Sequence, residues 1–157
     1  MLMFSSFVEA KSNVIRTVES VDLEKFMGKW YVLYYTPTLF DKYATNGTET
    51  YYFDYETSKI DIEYKFNKKS FSGPKKTINQ IAKPVQDANS EWQINMLGGL
   101  IRIPYYIVDL DSQYNYTVIT TKNKKYIWIL VRKLSINTDI ISKIFSRLES
   151  QNYDLKR

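Results

Sequence analysis

The chain has 157 residues, a formal net charge of +5, and 44% hydrophobic against 25% charged residues. These are the proportions of a folded domain with one sizeable core, not of a disordered or collagen-like chain. It contains no Cys and no His, which excludes disulfides, thiol nucleophiles, Ser-His-Asp systems, cysteine- or histidine-held zinc and proximal-histidine haem.

In chain order, Met1 to Ala10 (MLMFSSFVEA) is apolar and ends in small residues. It reads as the remnant of a secretory signal peptide, with a frayed terminus as the alternative, so an extracytoplasmic setting is expected: a periplasm, the extracellular space or an organelle lumen. No other segment approaches the ~18 apolar residues of a membrane-spanning helix. Residues 11–157 read as one domain. Ser20 to Met27 suggests one helical turn, capped by Ser20 or Asp22 and stopped by Gly28. Fourteen Tyr and eight Phe against five Gly favour strands over most of the remaining chain. Eight are expected: Lys29–Thr36, Thr48–Asp54, Ser58–Phe66, Thr77–Val85, Glu91–Leu97, Ile103–Leu110, Tyr114–Thr121 and Tyr126–Arg132. The third alternates cleanly, with Ile60, Ile62, Tyr64 and Phe66 on one face and Asp61, Glu63 and Lys65 on the other, so one face is buried and one wet. The eighth is apolar on both faces and needs a cover. Asn137 or Thr138 can start a helix to about residue 150 whose Ile140, Ile141, Ile144, Phe145 and Leu148 form an apolar stripe at helical period. The pattern is all-β, a sandwich or a barrel, with one C-terminal helix on its outside.

Three blocks of residues carry a family resemblance. Gly28-Lys29-Trp30-Tyr31 resembles the G-x-W-Y signature that opens the lipocalin barrel. Leu110-Asp111-Ser112-Gln113-Tyr114 resembles the family's L-D-x-x-Y turn, and Tyr126-Ile127-Trp128-Ile129-Leu130-Val131-Arg132 its last-strand Y-x-W-I-L-x-R block. They occur in family order, the C-terminal helix comes after them, and the details are most similar to the bacterial lipocalin and apolipoprotein D branch. The resemblance implies an eight-stranded up-and-down antiparallel barrel, or calyx, over about residues 28–132. It would be closed below, open above, and wide enough for one small ligand. It also implies that Trp30 packs under the Arg132 guanidinium at the closed end, so that Gly28, Trp30, Asp111, Tyr114 and Arg132 are structural. The implied function is binding or transport of a hydrophobic or amphipathic molecule, such as a fatty acid or lysophospholipid, with no cofactor and no catalytic step. A structural barrel filled by its own side chains, or an enzyme acting on a bound lipid, are the alternatives.

If Arg132 points inward, strand parity turns Leu130, Trp128 and Tyr126 inward and Ile127, Ile129 and Val131 toward the helix. With the third strand and the resemblance, the candidate ligand-binding residues are Tyr52, Ile62, Tyr64, Phe66, Trp92, Met96, Tyr105, Ile107, Trp128 and Leu130, with Ile94 beside them. The same parity turns Asp109 inward, toward an ion pair with Arg132. The Asp109/Asp111 pair has the composition of a hydrolase dyad, but the resemblance makes it a turn. No phosphate loop or metal-ligand cluster is legible. The Lys68-Lys69, Lys75-Lys76 and Lys124-Lys125 pairs lie among aromatics, as in nucleic-acid platforms. Those aromatics share faces with Ile and Leu, so no nucleic-acid partner is expected. In a meander, the loops after the odd strands meet at the mouth and carry Lys42, Lys68, Lys69, Lys75, Lys76, Arg102, Lys122, Lys124 and Lys125, with Asp41 as their one acid. There Leu39, Phe40, Leu97, Leu100 and Ile101, with Lys124 and Lys125, form a rim suited to an anionic membrane surface or to a homo-oligomer contact.

Overall fold

The structure, a computed structural model, describes residues 14–155; the Met1–Ala10 segment lies outside them. Eight antiparallel strands pair in sequence order, and the first returns to the last to close a barrel. They are β1 (Gly28–Tyr35), β2 (Ala44–Asp54), β3 (Lys59–Lys68), β4 (Lys75–Pro84), β5 (Glu91–Met96), β6 (Ile101–Leu110), β7 (Tyr116–Thr120) and β8 (Ile127–Val131). A one-turn helix, α1 (Leu23–Phe26), precedes them and α2 (Thr138–Ser150) succeeds them.

The buried face of β3 is the expected one: Ile60, Ile62, Tyr64 and Phe66 are all inside. β2 begins four residues earlier than its sequence suggests. The register shifts between Thr45 and Thr48, where Asn46 takes φ 54°, and this bulge carries pairing on to Ala44. The backbone of Gly47 lies so close to Val32 and Tyr64 that a Cβ there would come within 3.2 Å of both. β7 begins two residues later than expected, because Tyr114 sits in the preceding turn at φ 59°. Its hydroxyl accepts the Asp22 amide at 2.9 Å, tying that turn to α1.

The closed end is aromatic. Phe26, carried by α1 beneath an Asp22 cap, has its ring centroid 5.2 Å from Trp30 and from Trp92 and 5.3 Å from Tyr51. Trp30 Nε1 donates to the Phe26 carbonyl at 2.8 Å. Arg132 covers Trp30 from outside, its guanidinium 3.7 Å from the ring centroid, as the resemblance implies. It also donates to the carbonyls of Lys25, Phe26, Met27 and Lys29 at 2.7–3.0 Å. The end of α1 leaves the Lys25, Phe26 and Met27 carbonyls without helical partners, and one planar cation with five donors reaches all three together with the Lys29 carbonyl of β1.

α2 covers the second apolar face of β8. Asn137 caps it through a 2.8 Å bond from the Asp139 amide, and Ile144 and Leu148 pack on Val118, Ile127 and Ile129. Here the sequence parity of Asp109 fails. The β6–β7 register shifts between Ile107 and Asp109, and the extra residue, Val108, reverses the phase. Ile107 still faces in, opposite Ile119, whereas Asp109 lies opposite Val118 on the outer face. It pairs with Arg147 of α2, accepting Nε at 3.0 Å and Nη2 at 2.6 Å, and has no contact with Arg132.

Candidate functional site: the barrel cavity

Inside the barrel, opening between the β1–β2 and β7–β8 loops, lies a cavity of about 290 Å³. Its walls are Ile78, Ile94, Met96, Ile103, Ile119 and Trp128, with Phe40 and Tyr126 at the mouth. Of the residues expected to bind ligand, Tyr64, Met96, Tyr105 and Trp128 line it. Ile62, Ile107, Leu130 and Trp92 lie in the adjoining core, Trp92 stacked flat against Tyr105 with centroids 4.9 Å apart. Phe66 packs 4.9 Å from Tyr64 and borders a shallow cleft at the rim with Leu39 and Phe40.

Tyr52 is the misplaced member of that set. It is 57% exposed on the outside of the barrel, and Tyr51 is the buried one. Tyr51 stands directly opposite Ile62, and Glu49 opposite Tyr64; cross-strand partners share a face, so the inward face of β2 holds Glu49 and Tyr51.

Glu49 is therefore the cavity-lining charged residue that sequence reasoning missed. It lines the cavity at 8% exposure. Its Oε2 accepts the Tyr51 hydroxyl, which lies 2.7 Å from the Tyr105 hydroxyl. An ionised carboxylate can only accept, so Tyr51 donates to Glu49 and Tyr105 donates to Tyr51. Burial raises the Glu49 pKa to about 7, opposed by the Tyr51 bond and reinforced by the charge of Asp41. Burial likewise lifts Tyr51 and Tyr105 well above the ordinary phenol range, keeping both as neutral donors. Asp41, in the β1–β2 loop, is buried and lines the mouth. Its Oδ1 accepts the Thr38 amide at 2.8 Å and hydroxyl at 2.6 Å, and its Oδ2 the Tyr64 hydroxyl at 3.4 Å. Among the described residues, no Lys or Arg lines this cavity, and no cluster of three or more potential metal-ligating side chains occurs.

The rim also differs from expectation at two places. Lys124 is buried, donates to the Gln151 carbonyl at 2.8 Å and lies over the Tyr153 ring, so it anchors the end of α2 instead of meeting solvent. Ile101 packs on the core. Leu39 at 97% and Leu100 at 87% exposure, with Leu97 and Phe40, do project from the mouth.

A closed eight-stranded calyx, sealed by the Trp30–Arg132 stack and backed by one helix, is the barrel architecture of the lipocalin type. Residues 21–157 match the family model described as a lipocalin-like domain, and the chain belongs to the lipocalin family. It is 25% identical over 158 residues to the Acanthamoeba polyphaga mimivirus protein R877, which is named as a lipocalin, covering 96% of this chain and 89% of that one. It is 20% identical to temperature-induced lipocalin-1 of Arabidopsis thaliana, covering 91% and 80%. Among solved structures it resembles insecticyanin of the tobacco hornworm Manduca sexta (TM-score 0.65, 17% identity, 92% and 86% covered). Lobster apocrustacyanin A1 is similarly close in fold (TM-score 0.65, 16% identity, 83% and 73% covered).

Proposed function

We propose that this lipocalin holds one small hydrophobic or amphipathic molecule in the barrel and carries or sequesters it without chemical change. The observation that carries this reading is the cavity itself: a mostly apolar, aromatic-walled space of about 290 Å³ whose charged groups are Glu49 and Asp41 and whose neutral polar groups are Gln80, Thr38, Thr121 and the tyrosine hydroxyls. Ligand sites in proteins are concave, mostly apolar, and furnished with few polar groups in this way. Apolar burial at roughly 25 cal/mol per Å² drives entry, and the volume favours a compact molecule over a two-chain lipid. An extracytoplasmic setting is the one that the Met1–Ala10 sequence supports.

Trp128 lines the cavity, whereas Trp30 and Trp92 are buried beneath it. Octanol binding is expected to shift the tryptophan emission of the wild type, and Trp128→Phe should abolish most of that shift. A ligand-dependent signal of undiminished size in Trp128→Phe removes Trp128 from the site.

The projecting Leu39, Leu97 and Leu100 support docking of the mouth on a membrane. Lys42, Lys68, Lys69 and Lys76 border the cleft beside Leu39 and Phe40, and apolar tips near lysines suit an anionic lipid surface, each nearby Lys contributing about 1 kcal/mol. Co-sedimentation with phosphatidylserine-containing vesicles should be strong at low salt and weak at high salt, and Leu100→Asp should reduce it. If Leu100→Asp changes only the oligomeric mass, the hairpin is a contact between copies of the chain.

A further inference from the structure

The polar end of the cavity selects the sign of its ligand's head group. Two carboxylates, Glu49 and Asp41, line the space with no Lys or Arg among the described lining residues. Asp41 already accepts hydrogen bonds from Thr38 and Tyr64 on its two oxygens. Glu49 differs: its Oε2 accepts Tyr51, and among the described residues no group donates to its Oε1. A carboxylate more than nine-tenths buried that faces a cavity with one oxygen unbonded is costly unless a donor or a cation meets it. Tyr51 and Tyr105 cannot supply more, because each hydroxyl proton is already committed along the chain to Glu49.

Resting on the reading that the cavity binds an amphipathic molecule, we propose that its ligand is a protonated amine. The ammonium group would sit against Glu49 Oε1, with Asp41 adding a second negative charge and the apolar body lying between Met96, Ile103 and Trp128. Such a head group fits on three counts. It donates where a donor is missing, it neutralises the buried charge, and the aromatic rings of Tyr64, Tyr105 and Trp128 line the same cavity, an environment that tolerates a cation. A fatty acid is the wrong choice for the same reasons, since its carboxylate would meet two others across an apolar space. The rim lysines do not reverse this preference. They are outside the cavity and screened over ~8 Å at physiological salt, so they slow entry of a cation more than they weaken its bound state.

The groups facing Glu49 are Asp41 from the β1–β2 loop, Tyr51 beside it on β2, Tyr64 on β3 and Tyr105 on β6, with the charge of Arg132 acting on Tyr51 from the closed end. Glu49 is the one among them whose raised pKa lies near neutrality, so amine binding should strengthen as pH rises through about 7, while an alkylamine stays protonated as lysine does.

Octylamine, octanol and octanoate share one chain and differ in head group, and calorimetric titration of each in 150 mM salt tests the proposal. At pH 8 octylamine should bind at least tenfold more tightly than octanol, and octanoate most weakly. The octylamine-to-octanol affinity ratio should fall several-fold at pH 5.5, and toward one at pH 8 in Glu49→Gln. Octanol or octanoate binding as tightly as octylamine at pH 8 overturns the amine proposal while leaving the ligand-binding reading intact. A ratio indifferent to both pH and Glu49→Gln overturns it too, and this pH arm needs no variant. If none of the three binds, the ligand-binding reading itself falls and the amine proposal with it.

Discussion

Arg132→Ala should lower the thermal midpoint by about 6–12 °C. The side chain donates to four backbone carbonyls around the end of α1 and stacks on Trp30 at 3.7 Å. Hydrogen bonds from a charged donor are worth about 1.5–3 kcal/mol each, and a desolvated cation–π contact about 1–2 kcal/mol. Water can reach some of the freed carbonyls, so the net loss is on the order of 3 kcal/mol, and a chain of this size loses about 2–4 °C per kcal/mol. Arg132→Lys recovers little, because one ammonium cannot reach four carbonyls and cover an indole at once. Differential scanning calorimetry checks this, and a midpoint within two degrees of wild type would show that the closed end is held by apolar packing alone. Asp109 does not enter the effect, since its partner is Arg147.

Glu49→Gln should make the pH dependence of stability flatter between about pH 4.5 and 7. The folded-state pKa of Glu49 is raised to about 7 from 4.5. Between those values the folded chain holds a proton that the unfolded chain has released, so stability falls as pH rises and the loss is complete above about 7. Each pH unit in that window costs at most about 1.4 kcal/mol, giving about 3 kcal/mol in all. The amide cannot ionise and keeps an acceptor for Tyr51, so the variant should gain on wild type at pH 8 and not at pH 4.5. Urea midpoints of both proteins at the two pH values measure the difference; parallel profiles would mean that Glu49 is charged at no cost. In the wild type, a ligand amine added at pH 8 should restore part of the lost stability by mass action.

The barrel is legible in the sequence where one periodicity has no competitor. β3 alternates without a break, and β8 with α2 offers two apolar surfaces that can only satisfy each other. The order of the strands around the ring comes from the resemblance of the Gly28–Tyr31, Leu110–Tyr114 and Tyr126–Arg132 blocks, not from periodicity. The cavity is less legible because two of its determinants leave no mark on composition. Tyr51 and Tyr52 are the same residue type on opposite faces, so parity cannot choose between them. The choice lies in the hairpin: counting back from the Tyr55–Ser58 turn pairs Tyr51 with Ile62, and the same count puts Glu49 inside. A glutamate between two threonines reads as a wet face, and only its tyrosine partner explains its burial. Val108 is likewise an ordinary apolar residue whose bulge reverses the phase of everything after it, which is why unbroken parity turns Asp109 inward. Lys124 reads as solvated because lysines in turns usually are. Its burial depends on α2 reaching back more than twenty residues along the chain to offer the Gln151 carbonyl.

Closure of the ring sets a condition on how the chain folds. Seven of the eight strand pairs join neighbours in sequence and can zip from short turns, but the eighth joins β1 to β8, bringing Tyr31 beside Val131. That contact spans roughly a hundred residues, and the entropy of so long a loop must be met before the pairing returns anything. Until then β1 and β8 each present an unpaired edge rich in Tyr, Ile and Val, the kind of edge that recruits other chains. α1 and Arg132 sit at this seam: the guanidinium at the end of β8 grips the carbonyls leading into β1. The residues that seal the floor of the calyx are thus also the clasp that removes its last sticky edge.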